Sequence, residues 1–268
     1  MSVSVLGAGR MGQSIARTVL ASDGLELAGV WVRSDRPTRR AQPHLLRDLI
    51  LNTNLETLVA ASDVAIDFTL PGATRQVLHA ALKAGTPLVC GVSGLDARQM
   101  EGVREAAQSI PVLYDRNMSL GVAVLTELVG QAAQSLGEGY AATVAETHHV
   151  HKKDAPSGTA LQLGAALARA RNQDFDEHYR YEPDDTSPRR APQDIVFTVE
   201  RRGEVAGEHS VCFASDLEQL ILRHTVSDRR VFAEGALRAG RWLVRQAPGL
   251  YAMRDVVHAG DRVPVSVT

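Results

Sequence analysis

The fold is indicated first by the segment Val3-Ser4-Val5-Leu6-Gly7-Ala8-Gly9-Arg10-Met11-Gly12. The short apolar run Val3–Leu6 predicts a strand, and the apolar spacing within Met11–Leu20 predicts a helix. Between them stands a Gly-x-Gly-x-x-Gly pattern. Its glycines allow a tight turn and let backbone N–H groups approach a pyrophosphate at the helix N-terminus. In this strand–turn–helix context the pattern favours dinucleotide binding over a mere turn. The predicted cofactor-binding residues are Gly7, Ala8, Gly9, Arg10, Met11 and Gly12.

The end of the next predicted strand, Leu25–Val32, bears on which dinucleotide is bound. NAD sites usually place an acidic residue here for the ribose hydroxyls, whereas arginine suits a 2′-phosphate. Arg33 and Ser34 stand in this place, so NADPH is favoured, while the nearby Asp35 keeps NADH possible. A solvated basic loop is the better interpretation of the arginines that follow, which are Arg36, Arg39 and Arg40.

Strands and helices alternate through the rest of the first half. Apolar runs predict strands at Asp63–Asp67, Pro87–Cys90 and Pro111–Tyr114, with helices at Val77–Ala84 and Ala97–Ala107 between them. This alternation is typical of βαβ units. It predicts an α/β fold that begins with a Rossmann-like, doubly wound parallel sheet.

Two loops follow predicted strands at their carboxyl ends, where doubly wound folds bind ligands. One is Asp67-Phe68-Thr69 and the other is Gly91-Val92-Ser93-Gly94. Ordinary turn chemistry explains either loop equally well, so both interpretations stay open. The candidate cofactor contacts here are Phe68, Thr69, Gly91, Val92 and Ser93.

In the second half of the chain, predicted strands and helices no longer alternate regularly. A long helix is predicted at Leu120–Leu136, and a polar, proline-containing loop is predicted over Asn172–Gln193. We therefore expect a first domain in residues 1–118 and 230–268, and a second, α+β domain with a mixed sheet in residues 119–229. The runs with strand character in the second domain are Ala141–Glu146, Ile195–Glu200, His209–Phe213 and Gln219–Val226.

Composition excludes several classes of protein. The 268 residues carry 29 Lys and Arg against 31 Asp and Glu, a net charge of −2, which argues against a nucleic-acid binder. Two cysteines in a chain of this length do not make a disulfide framework. No apolar run is long enough to cross a membrane, and no signal-peptide pattern is present at the start. We expect a cytoplasmic protein that binds neither nucleic acid nor membrane.

The densest chemistry lies in residues 146–160, where three of the nine histidines fall within four positions and two lysines follow. Ser157 is a natural N-cap for the helix that follows it, and the free N–H groups there attract anions. The segment can therefore hold carboxylates and move protons. Because the histidines lack both an HExxH pattern and a nearby cysteine, no metal is predicted.

This segment, Glu146-Thr147-His148-His149-Val150-His151-Lys152-Lys153-Asp154-Ala155-Pro156-Ser157-Gly158-Thr159-Ala160, resembles the signature of the dihydrodipicolinate reductase family at every fixed position. The resemblance extends along the chain through Gly9–Gly12, Asp67–Thr69, Gly91–Gly94, Asn117–Gly121, Gly207–His209, Ser227–Ala236 and Met253–Val256. It implies an oxidoreductase that uses NADPH or NADH in the diaminopimelate route to lysine. The implied substrate is 4-hydroxy-tetrahydrodipicolinate, a cyclic dicarboxylate, and the implied product is tetrahydrodipicolinate.

The resemblance also implies roles for particular residues. His148 matches the catalytic histidine and Lys152 the proton-donating lysine. The implied substrate-binding residues are His149, Ser157, Gly158 and Thr159. Besides the glycine-rich turn, Arg33 and Gly91–Ser93, the implied cofactor contacts are Asp115, Arg116, Asn117 and Met118. Members of the family are usually homotetramers built through the sheet of the second domain, which implies the same for this chain.

Three other functions are weaker candidates. An amino-acid or semialdehyde dehydrogenase would share the first domain, but residues 146–160 speak against it. A redox-sensing module would not need His148, Lys152 and a carboxylate-binding helix start together. A metal-dependent hydrolase built on the three histidines lacks a recognisable ligand spacing.

Overall fold

The computed structural model describes residues 1–33, 51–181 and 193–259. The chain divides into two compact units, one comprising Met1–Leu120 with Arg230–Thr268 and the other Gly121–Arg229. The predictions made for residues 260–268 and for Ser34, Asp35, Arg36, Arg39 and Arg40 fall outside the described residues.

The first unit begins with alternating strands and helices. Its strands are β1 (Ser2–Leu6), β2 (Glu26–Trp31), β3 (Leu51–Asn52), β4 (Val64–Asp67), β5 (Leu88–Cys90) and β6 (Pro111–Tyr114). Its helices are α1 (Arg10–Leu20), α2 (Leu55–Ala60), α3 (Thr74–Ala84) and α4 (Ala97–Ala107).

The second unit contains three helices and five strands among its described residues. The helices are α5 (Leu120–Leu136), which starts at the junction of the units, α6 (Gly158–Ala170) and α7 (Phe175–His178). The strands are β7 (Ala141–His148), β8 (Tyr179–Tyr181), β9 (Ile195–Arg201), β10 (Glu208–Ala214) and β11 (Gln219–Thr225). The chain then returns to the first unit through α8 (Arg230–Leu243), β12 (Gly249–Tyr251) and α9 (Met253–His258).

The sheet of the first unit is parallel, with the described strands in the order β12-β6-β5-β4-β1-β2-β3. Its central strands are buried on both faces, and Val3, Val5 and Ile66 have no solvent exposure. Leu6 pairs with Asp67 and Asp67 with Cys90, so these strands end along one edge of the sheet. The strand order reverses between β1 and β4, the position at which doubly wound folds bind ligands.

The sheet of the second unit is mixed and has the order β11-β10-β7-β9-β8. β7 pairs antiparallel with β10 and parallel with β9. Alternate residues of β7 are buried, so Ala142 and Val144 enter the apolar core with Phe197 and Phe213. The same alternation buries Glu146 and His148 at the carboxyl end of the strand. The core therefore ends in two polar side chains.

The predicted α/β class, with a parallel sheet followed by a mixed one, is confirmed. The loop predicted over Asn172–Gln193 is wrong at its start, where α7 and β8 occupy Phe175–Tyr181. Tyr179 lies with its ring centroid 4.9 Å from that of Phe197, and this aromatic packing orders a segment that is polar in sequence. None of the described helices is long and apolar enough to cross a membrane.

Candidate active site

The glycine-rich turn of the first unit is shaped by close backbone contacts. Gly7 has a φ of 102°, which side chains rarely adopt. A Cβ on Gly12 would stand 1.8 Å from the carbonyl oxygen of Gly7, so α1 can pack on the turn only with glycine there. At Gly9, the N-cap of α1, a Cβ would meet nothing within 4 Å. The space in front of this helix start fits a phosphate-bearing ligand.

The loops after β4 and β5 meet beside this turn. The Thr69 N–H donates to Oδ1 of Asp67 over 2.9 Å, and the Gly91 N–H donates to the Asp67 carbonyl over 2.8 Å. A Cβ on Gly91 would stand 2.4 Å from the ring of Phe68, so the ring and the loop need this glycine. Val92 is buried, whereas Ser93 is exposed.

The buried end of β4 carries an unusual carboxyl. Burial raises the pKa of Asp67 to about 6, although the hydrogen bonds from Thr69 oppose the rise. Its Oδ2 has no hydrogen-bond partner among the described residues. The neighbouring Cys90 thiol has a pKa raised to about 12, first by burial and then by the charge of Asp67. Cys90 is therefore an unreactive core residue.

The predicted cofactor-binding residues after β6 differ in their exposure and contacts. Asp115 accepts hydrogen bonds from the N–H groups of Asn117 and Met253, each over 3.2 Å, and burial raises its pKa. Arg116 is exposed, while Met118 is 1% exposed. A Cβ on Gly235 would stand 1.8 Å from the Met118 carbonyl oxygen, so Met118 packs against α8. Arg33 is exposed just beyond β2.

The second unit holds a buried polar cluster, which we define as Glu146, His148, Ser157, Arg201 and His209. The Glu146 side chain has no solvent exposure and lies at its centre. Its Oε1 accepts the Ser157 N–H over 3.0 Å and lies 3.2 Å from Nη2 of Arg201. Its Oε2 lies 3.4 Å from Nδ1 of His148 and 3.8 Å from Nε2 of His209. One carboxylate thus joins β7, β9, β10 and the start of α6.

Ser157 connects the cluster to the first turn of α6. As the N-cap it accepts the Ala160 N–H over 3.2 Å, which satisfies one of the helix's unpaired donors. Its Oγ also lies 3.2 Å from Nε2 of His209, in hydrogen-bond contact. Gly158 and Thr159, the first residues of α6, therefore stand directly beside the buried polar cluster.

Both imidazoles of the cluster are held neutral. The pKa of His148 is lowered to about 4, first by burial and then by the positive charges of Lys152 and Arg201. The pKa of His209 is also lowered to about 4, first by burial and then by His148, against the opposing charge of Glu146. The two rings meet edge to face with centroids 5.0 Å apart.

The loop between β7 and α6 carries an ion pair between Lys152 and Asp154. Nζ of Lys152 lies 2.6 Å from Oδ2 of Asp154, and the Lys152 side chain is 21% exposed. Burial raises the pKa of Asp154, but the hydrogen bond and charge of Lys152 outweigh this and hold the pKa below its usual value. Arg201 donates to the carbonyl oxygens of Lys152 and Asp154, so it holds the loop as well as Glu146. His149 is partly exposed at the start of the loop.

Comparison with known proteins identifies the family. The family model described as dihydrodipicolinate reductase, N-terminus, matches residues 1–118, and the one described as dihydrodipicolinate reductase, C-terminus, matches residues 121–257. The chain belongs to the dihydrodipicolinate reductase family. The sequence-based expectation of this family is therefore confirmed, and with it the class of oxidoreductase.

Individual relatives agree with this family over nearly the whole chain. A 4-hydroxy-tetrahydrodipicolinate reductase of Halorhodospira halophila is 40% identical over 265 residues, which cover 96% of this chain and 98% of that protein. One from Pseudoalteromonas translucida is 39% identical over 259 residues, covering 95% and 97%. Among solved structures, a dipicolinate-bound dihydrodipicolinate reductase from Paenisporosarcina sp. TG-14 has the same fold. It has a TM-score of 0.73, 21% identity, and coverage of 94% of this chain and 97% of that one.

Three residues of the buried polar cluster were not among the predicted site residues of this reductase family member. Glu146 and His209 stand within motifs that resemble the family, but sequence alone assigns them no role. The period of two along β7 could have put Glu146 on the face of His148. Arg201 and His209 could not be found this way. The registers that pair His209 with Glu146 and His148 with Arg201 depend on the assembled sheet.

The cluster also bears on metal binding. Among the described residues, one ligand atom each from Glu146, His148 and His209 lies within 4.8 Å of the others. However, Glu146 is already paired with Arg201, and Lys152 places a second positive charge near His148. A dication would be repelled by both. The cluster is therefore better suited to hydrogen bonding, and the absence of a metal stays a prediction.

Proposed function

We propose that this chain reduces 4-hydroxy-tetrahydrodipicolinate to tetrahydrodipicolinate with NADPH or NADH, in the diaminopimelate route to lysine. One observation carries the proposal beyond the family itself. The segment that bears the family signature folds around one buried carboxylate, Glu146, which joins His148 to the start of α6. Proton-transfer groups and an anion-binding helix start thereby occupy one place.

The first unit is the proposed dinucleotide-binding domain. Its turn at Gly7–Gly12 leaves open space in front of α1, and the N–H groups there suit a pyrophosphate. Backbone and side chains of Phe68–Thr69, Gly91–Ser93 and Asp115–Asn117 are the further proposed contacts. When bound, a reduced nicotinamide supplies the hydride. The exposed Arg33 supports NADPH as the favoured donor, with NADH as the alternative.

The second unit is the proposed substrate-binding domain. A cyclic dicarboxylate needs cationic and N–H donors, and Gly158 and Thr159 lie in the first turn of α6, where the positive end of the helix dipole favours anions. His149 and Lys152 supply further donors from the loop. Fixing both carboxylates orients the ring, which lowers the entropic part of the barrier.

Lys152 is the proposed proton donor. Hydride addition to a ring carbon conjugated with an imine builds negative charge on neighbouring ring atoms, and that charge must be protonated. The Lys152 ammonium carries such a proton and is partly exposed. His148 has a pKa of about 4 and is neutral near pH 7, so it acts there as a hydrogen-bonding base rather than as an acid. A bound dicarboxylate adds negative charge nearby and thereby raises this pKa.

Assembly and location are also proposals. Among the described strands of the second unit's sheet, β11 lies at one edge and exposes Leu220 and Ile221, which supports association of copies through this sheet into a homotetramer. Cys90 and Cys212 are both free thiols, which supports a cytoplasmic location. Light scattering after size exclusion tests the tetramer, and a monomeric mass at micromolar concentration would contradict it.

A coupled assay tests the reaction. The preceding synthase, pyruvate and aspartate semialdehyde generate the substrate in place, and oxidation of NADPH and of NADH is followed in separate reactions. We expect oxidation that requires the synthase and is faster with NADPH. Oxidation of neither cofactor would overturn the proposed function, whereas faster oxidation of NADH would overturn only the preference.

A further inference from the structure

The two carboxylate oxygens of Glu146, in the buried polar cluster, differ in their hydrogen bonds. Oε1 of Glu146 receives two donors, the Ser157 N–H and Arg201. Oε2 has no hydrogen-bond partner among the described residues, and neither does Nδ1 of His148, which lies 3.4 Å away. Nδ1 of His148 is closer to Oε2 than Nε2 of His209 is, at 3.4 Å against 3.8 Å, and Nε2 of His209 is already in hydrogen-bond contact with Oγ of Ser157. Hydrogen bonds in catalytic sites are often long without ligand and shorten when one binds.

The chemistry of the pair sets the direction of the bond. A carboxylate paired with an arginine only accepts hydrogen bonds, so the atom facing Oε2 must be a donor. A neutral imidazole has one N–H, and it is placed on Nδ1 by this partner. Nε2 then carries the lone pair.

The surroundings of Nε2 agree with an open acceptor. A Cβ on Gly207 would stand 3.2 Å from Nε2 of His148, closer than most Cβ contacts, so glycine leaves this nitrogen uncrowded. Arg201 anchors Glu146 from β9 and so holds the carboxylate in its orientation.

We propose that Glu146 is the positioning residue that holds His148 as the Nδ1–H tautomer and leaves Nε2 as a free proton acceptor. The effect on turnover rests on the proposed function, because it requires His148 to act in catalysis. The tautomer itself does not depend on any activity.

The Glu146→Gln variant reverses the polarity of the bond. The amide oxygen can keep the Ser157 N–H and Arg201 as donors, which turns the amide NH₂ toward His148. Nδ1 must then accept, and the imidazole proton moves to Nε2. The matched control is Glu200→Gln, which also removes one negative charge. Glu200 lies near the end of β9 with its side chain half-exposed, and its partners are Thr147 and Arg202.

Solid-state NMR of protein labelled with ¹⁵N only in histidine reads the tautomer directly, whatever the size of the assembly. The His148 signals are assigned by their loss in His148→Gln. We expect a protonated Nδ1 and an unprotonated Nε2 at pH 7.5 in the wild type and in Glu200→Gln, and the reverse in Glu146→Gln. A wild-type imidazole protonated on Nε2 would overturn the proposal, even if Glu146→Gln did not fold. So would the same tautomer in the wild type and in Glu146→Gln.

Turnover gives the second readout. We expect Glu146→Gln to lower kcat by about 10²-fold or more, the range of a well-placed acid or base, with the cofactor KM unchanged. Glu200→Gln should retain the wild-type kcat. If the wild type does not turn over the dicarboxylate, the proposed function fails while the NMR result still decides the tautomer. An unchanged kcat in a Glu146→Gln protein with an inverted tautomer would overturn the positioning role.

Discussion

Oε2 of Glu146 lies 3.4 Å from Nδ1 of His148, and the glutamate side chain is completely buried. A buried carboxylate is stable only when it is paired and hydrogen-bonded, and Arg201 and the Ser157 N–H meet that need on the other oxygen. The arrangement ties the histidine at the end of β7 to the helix start that follows in sequence. We therefore expect Glu146, two residues before His148 on β7, to fix the position of this imidazole in the proposed active site.

Removing the ammonium of Lys152 tests the proposed proton donor. We expect Lys152→Ala to lower kcat by about 10²–10⁴-fold, because protonation of the developing charge loses its general acid. Cofactor affinity should stay at the wild-type value, as judged by fluorescence titration with NADPH. Lys153→Ala is the matched control, because this neighbouring lysine is exposed, and it should keep the wild-type kcat. Equal loss in both variants would point to the charge of the loop and not to one donor.

Two glycines of the same turn should respond differently to alanine. Gly12→Ala places a Cβ 1.8 Å from the Gly7 carbonyl oxygen, so it should reduce the free energy of unfolding by about 1–3 kcal/mol or more. Gly9→Ala meets no protein atom within 4 Å, so its stability should be unchanged. Its Cβ would instead crowd the phosphates and weaken NADPH binding by about tenfold or more, or 1.4 kcal/mol.

Thermal unfolding and NADPH titration separate these two effects. Gly102→Ala in α4 is the control, because its nearest neighbour is Leu78 at 3.5 Å, an ordinary contact. It should leave both readouts unchanged or raise the Tm slightly. Tight NADPH binding by Gly9→Ala would show that the cofactor does not approach this turn.

The two neutral imidazoles should make stability depend on pH. His148 and His209 have folded pKa values of about 4, against 6.5 as the ordinary value. The unfolded chain therefore binds more protons between these limits, and stability falls as the pH drops from about 6.5 to about 4. Urea unfolding at pH 7, 6 and 5 should show a shallower fall for His209→Gln than for the wild type. His151→Gln, at an exposed position, should match the wild-type slope.

Asp67 should make the stability depend on pH in the opposite direction to the two histidines. Its folded pKa of about 6 lies above the ordinary 3.8, so the folded protein retains a proton that the unfolded chain releases. Its contribution to stability is therefore lost as the pH rises from about 4 to about 6. The stability of Asp67→Asn relative to the wild type should increase across this window in urea unfolding. The exposed Asp216→Asn should show no such change, and a flat difference for Asp67→Asn would refute the prediction.

The fold could be predicted from the sequence where the apolar pattern is long and regular. The strand Pro111–Tyr114 and the helix Leu120–Leu136 appear with the predicted bounds, because their apolar runs meet clear breaks. The short β3 and β12 were not predicted, since two or three residues carry no period and pair only because a neighbouring strand is present. The segment Phe175–Tyr181 is ordered by aromatic contacts from distant parts of the chain.

In the candidate site, too, features set by local sequence could be predicted, and features set by long-range contacts could not. Ser157 could be predicted as the N-cap because capping is local in sequence, and the structure confirms it. Arg201 and His209 could not, because they reach Glu146 through the pairing of β9 and β10 with β7. The lowered pKa of His148 could not be predicted from the sequence either, since its first cause is burial. Long-range pairing and burial are properties of the assembled sheet.

Chelation tests the predicted absence of a metal. Arg201 and Lys152 place positive charge beside the three potential ligands, so dialysis against EDTA should leave kcat unchanged. Elemental analysis of the undialysed protein should find less than one equivalent of any transition metal. A stoichiometric metal whose removal abolishes turnover would reverse this interpretation of the buried polar cluster.

In the proposed reaction, a hydride passes from the dinucleotide to a cyclic dicarboxylate bound to this chain. The most direct measurement uses NADPH deuterated on the transferring face of nicotinamide C4, with the substrate generated in place, followed by mass spectrometry of the product. We expect one deuterium on the product ring in the wild type, and greatly slowed formation of that product by Lys152→Ala. A product without deuterium, or the same rate from both proteins, would contradict it.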